Sequence, residues 1–195
     1  MKPVTLQEIL PLAHYERVRS RLRPLFIAEK DRRRLAVGEH LTLLFENGQT
    51  VWYQVQEMVR AEQMIDDEAI QNEIDTYNEL LPRPDELAAT LLIEYAQPAE
   101  RDEALRRLIG LERHMWLVIG EKRQNGGFDT RQIATDQVSA VQFVRFPVPG
   151  VDARQFAELA NAGRIAVEVD HPHLKARAPI TGAIATALAE DLRQD

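Results

Sequence analysis

The chain has 195 residues, 45% hydrophobic and 28% charged, which is enough length and apolar content to bury a core. It has no cysteine, so disulfides, thiol nucleophiles, cysteine-ligated zinc and ordinary iron–sulfur clusters are excluded within it. A net charge of −7 argues against general nucleic-acid binding.

No stretch approaches eighteen apolar residues, and MKPVTLQEIL lacks the apolar run of a signal peptide, so a soluble, cytoplasmic protein without a membrane role is expected. Thr5 and Glu8 form a capping box that predicts a short helix ending near Pro11. A second helix is predicted from His14 to Ala36, with Val18, Leu22, Leu25 and Phe26 inward and Pro24 as a kink or break. Residues 1–34 hold nine Lys/Arg and four Asp/Glu, a net +5 that leaves −12 for the rest. The basic cluster is Arg17, Arg19, Arg21, Arg23, Lys30, Arg32, Arg33 and Arg34. It reads as a solvated helix face, without the interleaved aromatics of an RNA-binding surface.

After Gly38, His40 to Phe45 reads as a strand. Thr50 to Leu81 then carries the clearest periodicity, that of a helical pair. Val51, Val55, Met58, Val59 and Ile65 form the first stripe, widened by Trp52, with Glu57 and Arg60 facing solvent. Asp66 or Asp67 caps the second helix, whose stripe is Ile70, Ile74, Tyr77 and Leu81, and Pro82 and Pro84 stop it. A rival reading makes Asn47-Gly48 a hairpin turn, with Val51, Tyr53 and Val55 alternating along a strand. The helical pattern runs longer and is preferred.

Further on, Ala89 to Ala96 reads as a strand, Glu100 to Ile109 as a helix and Met115 to Ile119 as a buried strand. Asn125-Gly126-Gly127 reads as a turn, with Phe128 to Thr135 returning as a strand; Gly120 to Gln137 as a whole is the expected mobile loop or extended hairpin. Val138 to Phe146 alternates as a strand, Ala153 to Ala160 reads as a helix, Ile165, Val167 and Val169 mark another strand, and Ile180 to Leu192 a last helix. The sum is a single α+β domain over residues 1–195. Helices cover a mainly antiparallel or mixed sheet of about five strands, and residues 1–38 pack on it as a helical segment.

The stretches FENGQTVWYQVQEMVRAEQ, EIDTYNELLP, ATLLIEY, SAVQFVRFP and DHPHLKARAPI, leading to LAEDL, resemble a bacterial family, domain-of-unknown-function family 3501. The resemblance covers most of the chain from Phe45 onward and implies no established activity. Genes of similar proteins often lie near rubrerythrin-like and iron–sulfur oxidoreductase genes, which implies partners of those kinds and a link to redox or oxidative stress.

Two places could carry chemistry. Glu62 projects onto the apolar stripe near a helix C-terminus, where burial and the dipole would both raise its pKa as for a general acid, with Tyr77 within reach. Its bland counterpart is a buried structural acid paired to an Arg or hydrogen-bonded. Glu57, Glu62, Glu73 and Glu79 invite comparison with di-iron bundles, but those need a Glu-x-x-His on each of two helices, which the chain does not supply. Asp170, His171 and His173 have the chemistry of Zn, Fe or Mn ligands, with Glu94, Glu168 or His114 to complete a set. Alternation puts His171 on the core side and Asp170 opposite, so a plain turn is preferred and no metal or cofactor is expected. Glycine-rich nucleotide loops and a serine-hydrolase elbow are absent. The expected role is a non-enzymatic accessory protein with a protein partner, and self-association stays open. The alternative is a small metal- or ligand-binding enzyme using Glu62 or the Asp170–His173 cluster. A deep polar pocket would favour the alternative, and an exposed apolar patch the partner protein.

Overall fold

The strands assemble into two antiparallel sheets rather than the one expected, because their inward residues come from two directions onto a shared core. The structure is a computed structural model, and it describes residues 1–129, 131 and 136–193. The first sheet holds β1 (Arg34–Val37), β2 (Leu41–Phe45), β3 (Glu86–Ile93), β7 (Val141–Pro147) and β6 (Gly127–Phe128), in that order. The second holds β5 (Lys122–Asn125), β4 (Met115–Ile119), β8 (Ile165–His171) and β9 (Leu174–Pro179). Leu43, Leu91 and Phe146 of the first face Leu117 and Val167 of the second in one buried cluster. Helices α5 (Ala153–Asn161) and α6 (Gly182–Asp191) add Phe156, Ala160 and Leu188 to it, and α4 (Pro98–Arg107) adds Leu105.

The chain passes between sheets at Gly126. A Cβ there would lie 2.8 Å from Val144 Cγ1 and 3.0 Å from Phe146 Cε1, so only glycine lets β5 run straight into β6 against β7. The expected turn at Asn125-Gly127 is therefore this crossing; the hairpin turn comes earlier, at Gly120, where φ is 62°. Thr130 and residues 132–135, in the expected return strand, lie outside the described residues.

Other boundaries shift for local reasons. Helix α1 spans Leu12–Asp31 and continues through Pro24. Pro24 and Ser20, whose carbonyl loses its partner, are both exposed, so water can take that bond. Arg34 to Val37 is strand, not helix: Leu35 and Val37 turn inward and the segment pairs with β2, Val37 opposite Leu41. The first 38 residues are thus not wholly helical. The strand β9 escaped the sequence reading, because exposed Lys175 and Arg177 alternate with small alanines rather than with large apolar residues.

The helical pair forms α2 (Gly48–Ala61) and α3 (Asp67–Asn78). Asn47 caps α2, its side chain accepting from the Thr50 amide while the Thr50 hydroxyl accepts from the Asn47 amide, each at 2.9 Å. That reciprocal cap removes the hairpin alternative. Val51, Val55 and Val59 pack on Ile70 and Ile74 in a second cluster, separate from the one between the sheets. Two side-chain amides, Gln56 buried and Asn78 half-buried, clamp the N-terminal segment on this pair: Gln56 bonds both backbone groups of Leu10, and Asn78 both those of Val4.

Two groups read as solvated are instead structural. Glu57 accepts from Tyr15 Oη at 2.6 Å and from Arg19 Nε and Nη2 at 2.7 Å each, fastening α1 to α2. Hydrogen bonds from Arg19 hold its carboxyl below the ordinary range against the opposing effect of burial. Arg33 is 1% exposed: it donates to Glu29 and bidentately to Asp191, at 2.5 and 3.0 Å. Burial alone would push Glu29 up, but hydrogen bonds from Arg32 and Arg33 outweigh it and keep it ionised. Asn47 donates to the same Glu29 at 2.9 Å, so one polar network ties α1, its link to β1, α6 and the cap of α2 together. Among the described residues, no helix is long and apolar enough to cross a membrane.

Candidate functional site

A cleft of about 1200 Å³ opens between the C-terminal end of α3, the 79–84 segment and the outward face of β3 and β7. Its volume lies just above the ~300–1,000 Å³ usual for small-molecule sites. At its base is Glu46, the residue after β2 and before the cap of α2. Its amide donates to the Ala88 carbonyl at 2.8 Å, which carries the β2–β3 ladder one step further and turns the side chain to the outward face. There it is 2% exposed.

Three neutral donors hold the Glu46 carboxylate. Thr50 Oγ1 donates to Oε2 at 2.5 Å, Gln54 Nε2 to Oε2 at 3.1 Å and Thr90 Oγ1 to Oε1 at 2.6 Å. Among the described residues Glu46 forms no ion pair; its charge is felt by Lys30, whose ammonium lies over the Tyr53 ring at 5.3 Å. A carboxylate has about four acceptor positions, so one on Oε1 is left over by the described residues. Tyr77 lines the cleft, and burial, then the charges of Glu73 and Glu46, raise its phenol above the ordinary range, so it stays a neutral hydroxyl. Leu80, Leu81, Pro82 and Phe143 supply apolar surface. At the rim Arg131 pairs with Glu79 and Asp129, and Arg145 pairs with Glu86 at 3.1 Å and donates to the carbonyls of Leu81 and Glu79.

Comparison with known proteins leads to one group. The family model described as "Protein of unknown function (DUF3501)" matches residues 3–192. The chain belongs to the DUF3501 family. A crystal structure of a novel protein of unknown function from Burkholderia pseudomallei is similar at 36% identity with a TM-score of 0.86, over 98% of this chain and all of that one. No curated protein matches.

In this DUF3501 chain the expected site residues scatter. Glu62 is a correction: α2 ends at Ala61, so Glu62 is its exposed C-cap residue and neither a buried acid nor part of a stripe. Ile65, expected on the same stripe, is 88% exposed in the link to α3. Periodicity cannot see where a helix stops, and both residues lie beyond its end. Tyr77 is the one candidate that the fold brings to the cleft.

Asp170 and His171 sit on opposite faces of β8, the first exposed and the second buried. His171 Nε2 lies 3.1 Å from the Ile109 carbonyl and its Nδ1 accepts from the His173 amide at 3.3 Å. Those partners require a proton on Nε2 and a lone pair on Nδ1, so backbone occupies both nitrogens. Asp170 bonds Arg123 at 2.8 Å, Trp116 at 3.1 Å and His114 at 3.0 Å, and Arg123 above all holds its carboxyl well below the usual range. His173 is exposed, and His114 meets the His171 ring edge-on at 5.2 Å. Among the described residues no group of three or more His, Asp or Glu could hold a metal ion.

Sequence reasoning missed Glu46 and Thr90. A signal was present: a carboxylate directly after the apolar LTLLF and before a capping Asn, and a lone polar residue inside ELAATLLI. What links them is register, since Thr90 pairs with Leu44, two residues from Glu46 on the same face.

Proposed function

We propose that this DUF3501 protein binds a small molecule in the cleft beside α3, with Glu46 at the base and Tyr77 in the wall. The observation that carries this reading is a buried carboxylate set by neutral hydrogen bonds at the base of the cleft, with no ion-pair partner among the described residues. Burying a charge without a contacting counter-charge, here with the Lys30 ammonium felt only from outside ion-pair distance, costs stability, and a fold that keeps one beside open space keeps it for something that enters that space. Of the exposed large apolar side chains, Leu25 and Ile27 share α1 while Ile65, Ile109 and Val141 lie on three other segments, a spread that favours the cleft over a docking patch.

The test is a titration of isotope-labelled protein with a fragment library, read by amide chemical shifts and thermal melts. Binders should move the amides of Tyr77, Leu81 and Arg145 together and raise the melting temperature. A library whose binders all map elsewhere, or that yields none, overturns the reading.

A further inference from the structure

We infer that the cleft selects ligands with a cationic nitrogen head, an ammonium or guanidinium, seated on Glu46 Oε1. The inference rests on the cleft being a ligand site and adds the chemistry of what enters it. Among the described residues Oε2 already receives Thr50 and Gln54, whereas Oε1 receives Thr90 alone. The remaining acceptor position calls for an N–H or O–H donor, and a charged donor makes the shorter, stronger bond to a carboxylate.

The surroundings agree in sign. Five acids, Glu46, Glu73, Asp75, Glu79 and Asp129, stand against three arginines and the Met1 amino group among the described lining residues. Two of those arginines are already spoken for, Arg131 by Glu79 and Asp129 and Arg145 by Glu86. Arg83, exposed at the edge, and the Met1 amino group are the lining cations without an ion pair among the described residues, while Glu46 sits at the base. An anionic head at the base would meet the Glu46 charge in a poorly hydrated place, where like charges repel strongly. The neutral Tyr77 hydroxyl can accept a further ammonium hydrogen without adding charge. Leu80, Leu81 and Phe143 then suit an apolar stem behind the head.

Three probes of equal length separate the possibilities: hexylammonium, hexanol and hexanoate, titrated into the full chain and into Glu46→Gln by the same amide-shift measurement. Wild type should bind hexylammonium at least ten times more tightly than hexanol, with hexanoate weakest. Glu46→Gln should erase that tenfold preference while hexanol binding stays within about twofold. If the variant fails to fold, the wild-type preference and contacts between the head methylene of hexylammonium and Thr90 or Tyr77 decide alone. Equal or tighter binding of hexanoate, or an ammonium preference kept in Glu46→Gln, overturns the cationic head and leaves the cleft as a ligand site. If all three probes leave the cleft amides unmoved while the fragment library finds binders there, the cationic head falls alone. If both fail, the cleft reading falls with it.

Discussion

Replacing Arg33 with methionine keeps most of the side-chain volume and removes the charge. The guanidinium is 1% exposed and gives three hydrogen bonds, one to Glu29 and two to Asp191. Glu29 keeps Arg32 and Asn47 as donors, but Asp191, 7% exposed, loses every donor described for it. Orphaning one member of a buried pair costs about 3–5 kcal/mol. For a chain of this size that is a fall of roughly 6–20 °C in melting temperature. Burial already pushes the Asp191 carboxyl up and Arg33 opposes it, so without Arg33 the folded pKa rises further. A carboxyl whose folded pKa exceeds its unfolded value stabilises the fold while protonated and loses that contribution as pH rises between the two values. The deficit of Arg33→Met should therefore be smaller at pH 5 than at pH 8. Adding Asp191→Leu should recover most of the loss, because an apolar pair replaces the ionic one. Urea unfolding of the two variants at both pH values is the assay. A single variant that loses under about 1 kcal/mol, or a double variant less stable than the single, would refute the reasoning.

Gly126→Ala should destabilise by about 1–3 kcal/mol in urea, through overpacking on Val144 and Phe146 at the crossing between sheets. His171→Ala should cost about 1–3 kcal/mol by leaving the Ile109 carbonyl and His173 amide unpaired, and elemental analysis of untagged protein should find no stoichiometric metal. Arg19→Met should cost about 1 kcal/mol at pH 7, as the bidentate bond to Glu57 is lost. Because the Glu57 carboxyl is held low, that stability is present above its unfolded pKa and disappears as pH falls through the folded one, so thermal melts of the variant and wild type should converge as pH falls below the ordinary carboxylate range.

The sequence by itself determined the elements whose causes are local. The Asp66 cap of α3, the valine stripe of α2 and the β4 strand Met115–Ile119 are each written within a few residues, and neighbours along the chain meet whatever the fold. It also sufficed to place the chain in its family, since family resemblance is read along the chain. Tertiary structure decided which polar residues matter, because burial and pairing come from segments far apart in sequence. Glu46 is held by Thr90 from 44 residues away, and Arg33 by Asp191 from 158 away. The strand β9 and the split into two sheets became visible only once their inward residues met across a common core. Glu62 shows the converse: a helical projection gave it a buried face, but the helix had ended one residue before it.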